Sequence, residues 1–147
     1  LRFWLITSKL LIKYILLGGN LKTLTIVLTD GPYISEYAEI ASKLAEEALK
    51  QYQVNIFLYL DAVHIPKKSQ NPSFFNNVGE LFTELAEKGA IIRACARCAA
   101  ARGYLAEEDN TLKGSNCEDY LTGIKISSLY ELSEMLKKSD RVISLSR

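Results

Sequence analysis

Ala90-Ile91-Ile92-Arg93-Ala94-Cys95-Ala96-Arg97-Cys98-Ala99-Ala100-Ala101-Arg102-Gly103 is the stretch on which the reading of the fold turns. Its first five residues form an apolar run of strand length. The residues after Cys95 are Ala-rich and read as a short helix that stops at glycine. Cys95 therefore stands at a strand-to-helix turn. In an α/β protein that turn lies at the carboxyl edge of the sheet, where such folds place their chemistry. A thiol there faces the positive end of a helix, and Arg97 and Arg102 follow closely. Both effects favour the thiolate, which is the reactive form.

Working outward, the same alternation recurs. Residues 23–29 (Thr-Leu-Thr-Ile-Val-Leu-Thr) are β-branched and apolar, as in a buried strand, and Asp30-Gly31-Pro32 breaks the run. Tyr37, Ile40, Ala41, Leu44, Ala45, Ala48 and Leu49 then repeat at helical spacing, with Glu36 and Glu39 near the start of that helix. Residues 54–60 read as a second strand, followed by a polar loop over 64–73. Ser73 is the expected N-cap of a helix bearing Phe74, Phe75, Val78, Leu81, Phe82 and Leu85, which Gly89 ends.

Beyond the central stretch, residues 104–120 are polar and suggest turns. Residues 124–126 are a short fourth strand. Ser128-x-x-Glu131 is a capping box opening a helix with Leu129, Leu132, Met135 and Leu136, and residues 141–145 close with a fifth strand. Strands alternating with helices predict one α/β domain with a mainly parallel five-stranded sheet. Helices cover both faces in a Rossmann- or flavodoxin-like three-layer arrangement.

Composition agrees with a globular domain. Of 147 residues, 48% are hydrophobic and 24% charged, enough for one core without cross-links. A net charge of +1, with no basic stripe interleaved with aromatics, argues against nucleic-acid binding. Three cysteines are too few and odd in number for a secreted disulfide scaffold, so a reducing cytoplasm is expected.

Residues 1–20 stand apart. They are rich in large apolar side chains but interrupted by Lys9 and Lys13. No small-residue cleavage site follows, and the apolar stretch is too short and too charged to span a bilayer. Gly18-Gly19-Asn20 separates them from the rest. The expected organisation is an N-terminal extension over 1–20, either an appended helix or a segment without a role, and the α/β domain over 21–147.

Several further residues match a known pattern in order and spacing. They are Thr29-Asp30-Gly31-Pro32-Tyr33 after the first strand, and Ile56-Phe57-Leu58-Tyr59-Leu60-Asp61-Ala62-Val63 running into a polar loop. Cys95 at the end of the third strand, Arg102-Gly103, Ser115-Asn116 and Asp140-Arg141-Val142 complete the set. In these features the chain resembles the DsrE/TusD-like sulfur-relay family, small α/β proteins that carry sulfur as a persulfide on one cysteine. The resemblance implies a DsrE-like fold over nearly all of residues 23–145. It also implies sulfur-donor and acceptor proteins or small sulfur anions as partners, and assembly as a trimer, a hexamer or a complex with related subunits. Cys98, Arg97 and Cys117 depart from what is usual in that family.

Cys95 is the expected nucleophile, accepting a sulfane sulfur and passing it to an acceptor thiol, which needs no cofactor. Cys98 completes Cys95-x-x-Cys98, which imitates a redox pair; three residues apart on a helix, the two sulfurs can meet. Arg97 is the expected stabiliser of the thiolate or of an anionic donor. His64, Cys95, Cys98 and Cys117 together would suit zinc, but only one close pair exists, so no metal is expected. Asp30-Gly31-Pro32-Tyr33 lacks the glycines and lysine of a phosphate loop. Two other readings remain at this point. One is a non-catalytic assembly or regulatory subunit of the same fold; the other is a thiol-disulfide oxidoreductase using Cys95 and Cys98.

Overall fold

A computed structural model describes residues 21–107 and 114–147. The expected extension over residues 1–20 lies outside the described residues.

Five strands form one parallel sheet: β1 (Lys22–Leu28), β2 (Tyr52–Leu58), β3 (Ile91–Cys95), β4 (Ile124–Ser127) and β5 (Arg141–Leu145), in the order β4-β3-β2-β1-β5. The helices are α1 (Tyr37–Ala48), α2 (Val78–Glu87), α3 (Ala96–Ala101) and α4 (Leu129–Lys138), with a 3-10 turn over Leu60–His64. The α/β reading holds, and the sheet is parallel throughout.

The hydrophobic pattern explains the layering. β2 sits in the middle of the sheet, and its last five residues, Val54 to Leu58, are buried on both faces. Four of the five are apolar because a central parallel strand has helices above and below, and the fifth, Asn55, donates to the Thr25 hydroxyl at 3.3 Å. β1 alternates instead. Leu24 lies beside Leu44 and Ala48 of α1, whereas Thr23 shares a hollow with Glu131 and Met135 of α4. Thr25, next on that second face, is hydrogen-bonded to Ser139, just beyond α4. Successive strand residues point to opposite faces, so α1 and α4 cover opposite sides of the sheet.

One helix start and one helix cap differ from the sequence reading. Helix α2 begins at Val78, not near Ser73, and its N-cap is Asn77, whose side chain accepts from the Glu80 N–H at 3.1 Å. Ser73 and Asn77 are both good caps by type. Asn77 is also tied to the loop, donating to the Gln70 carbonyl at 3.2 Å. Phe74 and Phe75 consequently lie outside the helix, 95% and 64% exposed. At α4 the N-cap is Ser128, but its side chain makes no capping bond, and Glu131 turns instead to Arg93 and Ser127. The capping box is present in sequence and unused in space.

Strand ends set the site. Strand β2 stops at Leu58, two residues earlier than expected, and Leu60 enters the 3-10 turn with φ of +50°. That turn is stitched to the end of β1 through Tyr59 N–H to the Leu28 carbonyl (2.8 Å) and Ala62 N–H to the Thr29 carbonyl (3.1 Å). Gly31 allows the next loop to close on it: a Cβ there would stand 3.1 Å from the Asp61 carbonyl oxygen. The loops after β1, β2 and β3 are thereby drawn together at the carboxyl edge.

Candidate functional site

Cys95 is the last residue of β3 and the N-cap of α3, paired in register with Ser127 of β4. The strand-to-helix turn read from sequence is therefore where the structure has it. Helix α3 spans only six residues, about one and a half turns, so its dipole is short. Neighbouring groups thus matter more than the helix in setting the sulfur environment.

Cys98 is the nearest of them. It lies one turn into α3, where the Cys95 sulfur acts on it electrostatically. Burial pushes the Cys98 thiol up, and the nearby Cys95 sulfur pushes the same way. Against them stand the Leu60 N–H, which donates to Cys98 Sγ at 3.3 Å, and the charge of Arg102. The net direction is upward, toward the protonated thiol. The left-handed φ of Leu60, costly for a γ-branched residue, aims its N–H at Cys98 Sγ.

Arg102 is fixed from two sides. Its Nη1 donates to the Cys98 carbonyl at 3.0 Å, capping the end of α3. Nε and Nη2 both donate to Asp61 Oδ1, at 2.9 and 2.8 Å. The guanidinium so clamps α3 to the 3-10 turn. Arg97, the expected stabiliser, is exposed and makes no hydrogen bond or ion pair among the described residues. Of the two guanidiniums it is Arg102 whose charge reaches Cys98.

A buried phenol pair closes the other side. Tyr104 Oη is 2.7 Å from His64 Nδ1, and the rings meet edge to face with centroids 5.4 Å apart. Tyr120 packs on Tyr104 at 5.1 Å and donates to the Val63 carbonyl at 2.6 Å. Burial pushes both phenols up. The Asp119 and Cys117 charges add to this at Tyr104; at Tyr120 the added charges are those of Cys117, Tyr104, Cys95 and Cys98. Tyr120 is therefore the side chain that feels all three thiols. Its segment is held by Leu121 N–H to the Pro66 carbonyl and Lys68 N–H to the Asp119 carbonyl, each at 2.8 Å. Neither phenol was legible, because the 104–120 stretch has no periodicity to betray a buried face.

All three cysteines are free and buried, and Cys95 is wholly so. Among the described residues no group of three or more His, Cys, Asp or Glu side chains is arranged to hold a metal ion. His64 is engaged with Tyr104, not with the thiols. Among the same residues no helix is long and apolar enough to cross a membrane.

Comparison with known proteins agrees with this architecture. The sequence profile of the DsrE/DsrF-like family matches residues 22–145. An uncharacterized protein of Methanocaldococcus jannaschii, MJ0989, is 36% identical over 121 residues, covering 82% of this chain and 96% of that protein. Another from Methanopyrus kandleri, MK0008, is 36% identical over 125 residues, covering 84% and 94%. The crystal structure of the YchN protein from E. coli superposes with a TM-score of 0.69 at 23% identity, over 84% of this chain and 99% of that one, a likeness of fold. With the profile spanning all five strands and Cys95, the chain belongs to the DsrE/DsrF-like family.

Proposed function

We propose that this protein is a sulfur carrier of the relay type, holding sulfane sulfur as a persulfide on Cys95 and passing it to an acceptor thiol. The observation that carries the reading is a pair of free thiols at the carboxyl edge, Cys95 as the N-cap of α3 and Cys98 one turn further on. In loading, the Cys95 thiolate attacks the outer sulfur of a donor persulfide, R–S–SH. A new S–S bond forms on Cys95 and the donor leaves as RS⁻. In delivery, an acceptor thiolate attacks that outer sulfur and Cys95 leaves as thiolate. A proton held on Cys98 beside the reacting sulfur stabilises the negative charge that appears in each step.

Cys95 is covered in the isolated chain, so loading requires local opening of the edge, and its rate reads how often the edge opens. The chemistry also requires reduced cysteines, which suits a reducing compartment.

The test is mass analysis of the intact chain after exposure to a polysulfide donor. The unaltered protein is expected to gain sulfur on Cys95, and Cys95→Ser to gain none there while keeping its fold. Equal loading of Cys95→Ser and the unaltered chain would overturn the reading.

Self-association belongs to this proposal. Phe74, Phe75 and Tyr130 are exposed, at 95%, 64% and 60%, more apolar surface than a monomer usually leaves open. Tyr104 and Tyr120 are buried and add nothing to that surface. Light scattering at micromolar concentration is expected to return a multiple of the chain mass. A monomer mass there would remove self-association from the reading.

A further inference from the structure

Beyond carrying sulfur, the geometry points to a built-in discharge step: Cys98 attacks the persulfide on Cys95 and expels its outer sulfur as hydrosulfide, leaving a Cys95–Cys98 disulfide. This rests on the carrier reading of Cys95. Three features of the site converge on it. Cys95 is the N-cap and Cys98 the third residue of α3, a spacing that puts the two side chains on one face, one turn apart. A second thiol so placed can do more than lend a proton: it can itself attack the Cys95 sulfur. Finally, Cys98 Sγ has a dedicated donor in the Leu60 N–H at 3.3 Å, delivered by a strained backbone at φ of +50°. An N–H aimed at a sulfur stabilises it as thiolate, the form an attacking group needs.

The step balances within the site. The Cys98 thiolate attacks the Cys95 sulfur directly, and the bond between that sulfur and the outer one breaks. The outer sulfur leaves with the electron pair as HS⁻. The sulfane sulfur is reduced by two electrons, and the two cysteines are oxidised by the same two. The Cys98 proton passes to solvent or to the leaving sulfide. Nothing outside the chain is consumed until the disulfide is to be reopened, which takes a dithiol.

Arg102, clamped to Asp61 and to the Cys98 carbonyl, holds the attacking turn of α3 in place. Cys117 is buried in the same region but has no comparable donor to its sulfur among the described contacts. A chain with this device partitions its cargo: an acceptor that arrives quickly receives sulfur, and one that does not leaves the site to release sulfide. Because Cys98 is held protonated, discharge quickens as pH rises toward the range where it ionises.

The experiment loads the full chain with polysulfide, removes excess donor, and follows released sulfide together with intact mass. For the unaltered protein we expect one sulfide per loaded chain, at a per-chain rate independent of protein concentration, and a product two hydrogens lighter than the reduced chain. Peptide mapping should place its bridge between Cys95 and Cys98, and dithiothreitol should restore the loading capacity. In Cys98→Ser and Cys98→Ala the persulfide should stay on Cys95, with sulfide release slowed about 100-fold or more, the loss expected when a reaction stops being intramolecular. A persulfide that persists in the unaltered protein, or a bridge to Cys117, overturns the discharge step and leaves the carrier reading intact. Failure of every variant and of the unaltered chain to load sulfur on Cys95 overturns the carrier reading itself.

Discussion

Glu131→Ala should destabilise the fold by about 2–3 kcal/mol, the cost of leaving a mostly buried cation without its partner. Arg93 projects from the third strand, where its Nε is 3.2 Å from Glu131 Oε1; the two side chains are only 15% and 18% exposed. Glu131 also accepts from the Ser127 hydroxyl, and Arg93 donates to the Ile92 carbonyl at 3.0 Å. Gly114 presses on the same guanidinium, for a Cβ at that position would stand 3.1 Å from Arg93 Nε. The guanidinium is thus packed against Gly114 while it borders the hollow that Glu131 also lines.

The same physics predicts an asymmetry. Replacing both partners, as Arg93→Met with Glu131→Leu, removes the two desolvated charges together and should recover most of the loss. Urea denaturation of the two single variants and the double variant measures this. If Glu131→Ala costs no more than an ordinary surface substitution, the pair is solvated in solution and the account of this face is wrong.

That ion pair also shows what was legible in the sequence. Glu131 was readable as one half of a capping box, since Ser-x-x-Glu is a local pattern. Its use as a partner for Arg93, 38 residues away, is a tertiary fact that displaces the local one. Cys95 was legible for the opposite reason. An apolar strand of five residues followed by alanines determines a strand-to-helix turn locally, and a parallel sheet puts every such turn at one edge. Arg97 seemed the better charge because it is closer in sequence to Cys95. In space a helix turns it outward and brings Arg102, four residues after Cys98, back to the Cys98 carbonyl.

Leu60 escaped notice because nothing in an apolar run announces a left-handed residue. The run Ile56 to Leu60 looks like uninterrupted strand, and the break comes from how the 3-10 turn is stitched to the end of the first strand. Tyr104 and Tyr120 lie in a stretch that the sequence shows only as polar turns. They are buried because each finds a partner for its hydroxyl, His64 and the Val63 carbonyl respectively.

Those phenols carry the other large expected effect: the protein should lose stability steeply above about pH 10, the ordinary range of tyrosine ionisation. Burial raises both Tyr104 and Tyr120, Tyr120 the more strongly, and the neighbouring thiols add to it. In the folded state each phenol holds its proton to higher pH than in the unfolded chain. Where the unfolded chain has released that proton and the folded chain has not, unfolding is coupled to proton loss, so raising the pH favours it. The contribution is fully present below the unfolded value and is lost as pH climbs through the folded one. Each phenol should add a slope of about 1.4 kcal/mol per pH unit across its window.

Tyr120→Phe isolates the larger share. It removes the hydroxyl that donates to the Val63 carbonyl at 2.6 Å and leaves that carbonyl without it, so near neutral pH the variant should be less stable by about 1–2 kcal/mol. It also removes one titrating proton, so above about pH 10 its stability should fall more gently. The gap between variant and parent should therefore close as pH rises, and the two curves should cross if the pH is carried far enough. Chemical denaturation of both proteins at a series of alkaline pH values decides it. Curves that stay parallel throughout would mean that Tyr120 ionises as an ordinary exposed tyrosine, and that the wall it forms beside Cys95, Cys98 and Cys117 is open to water.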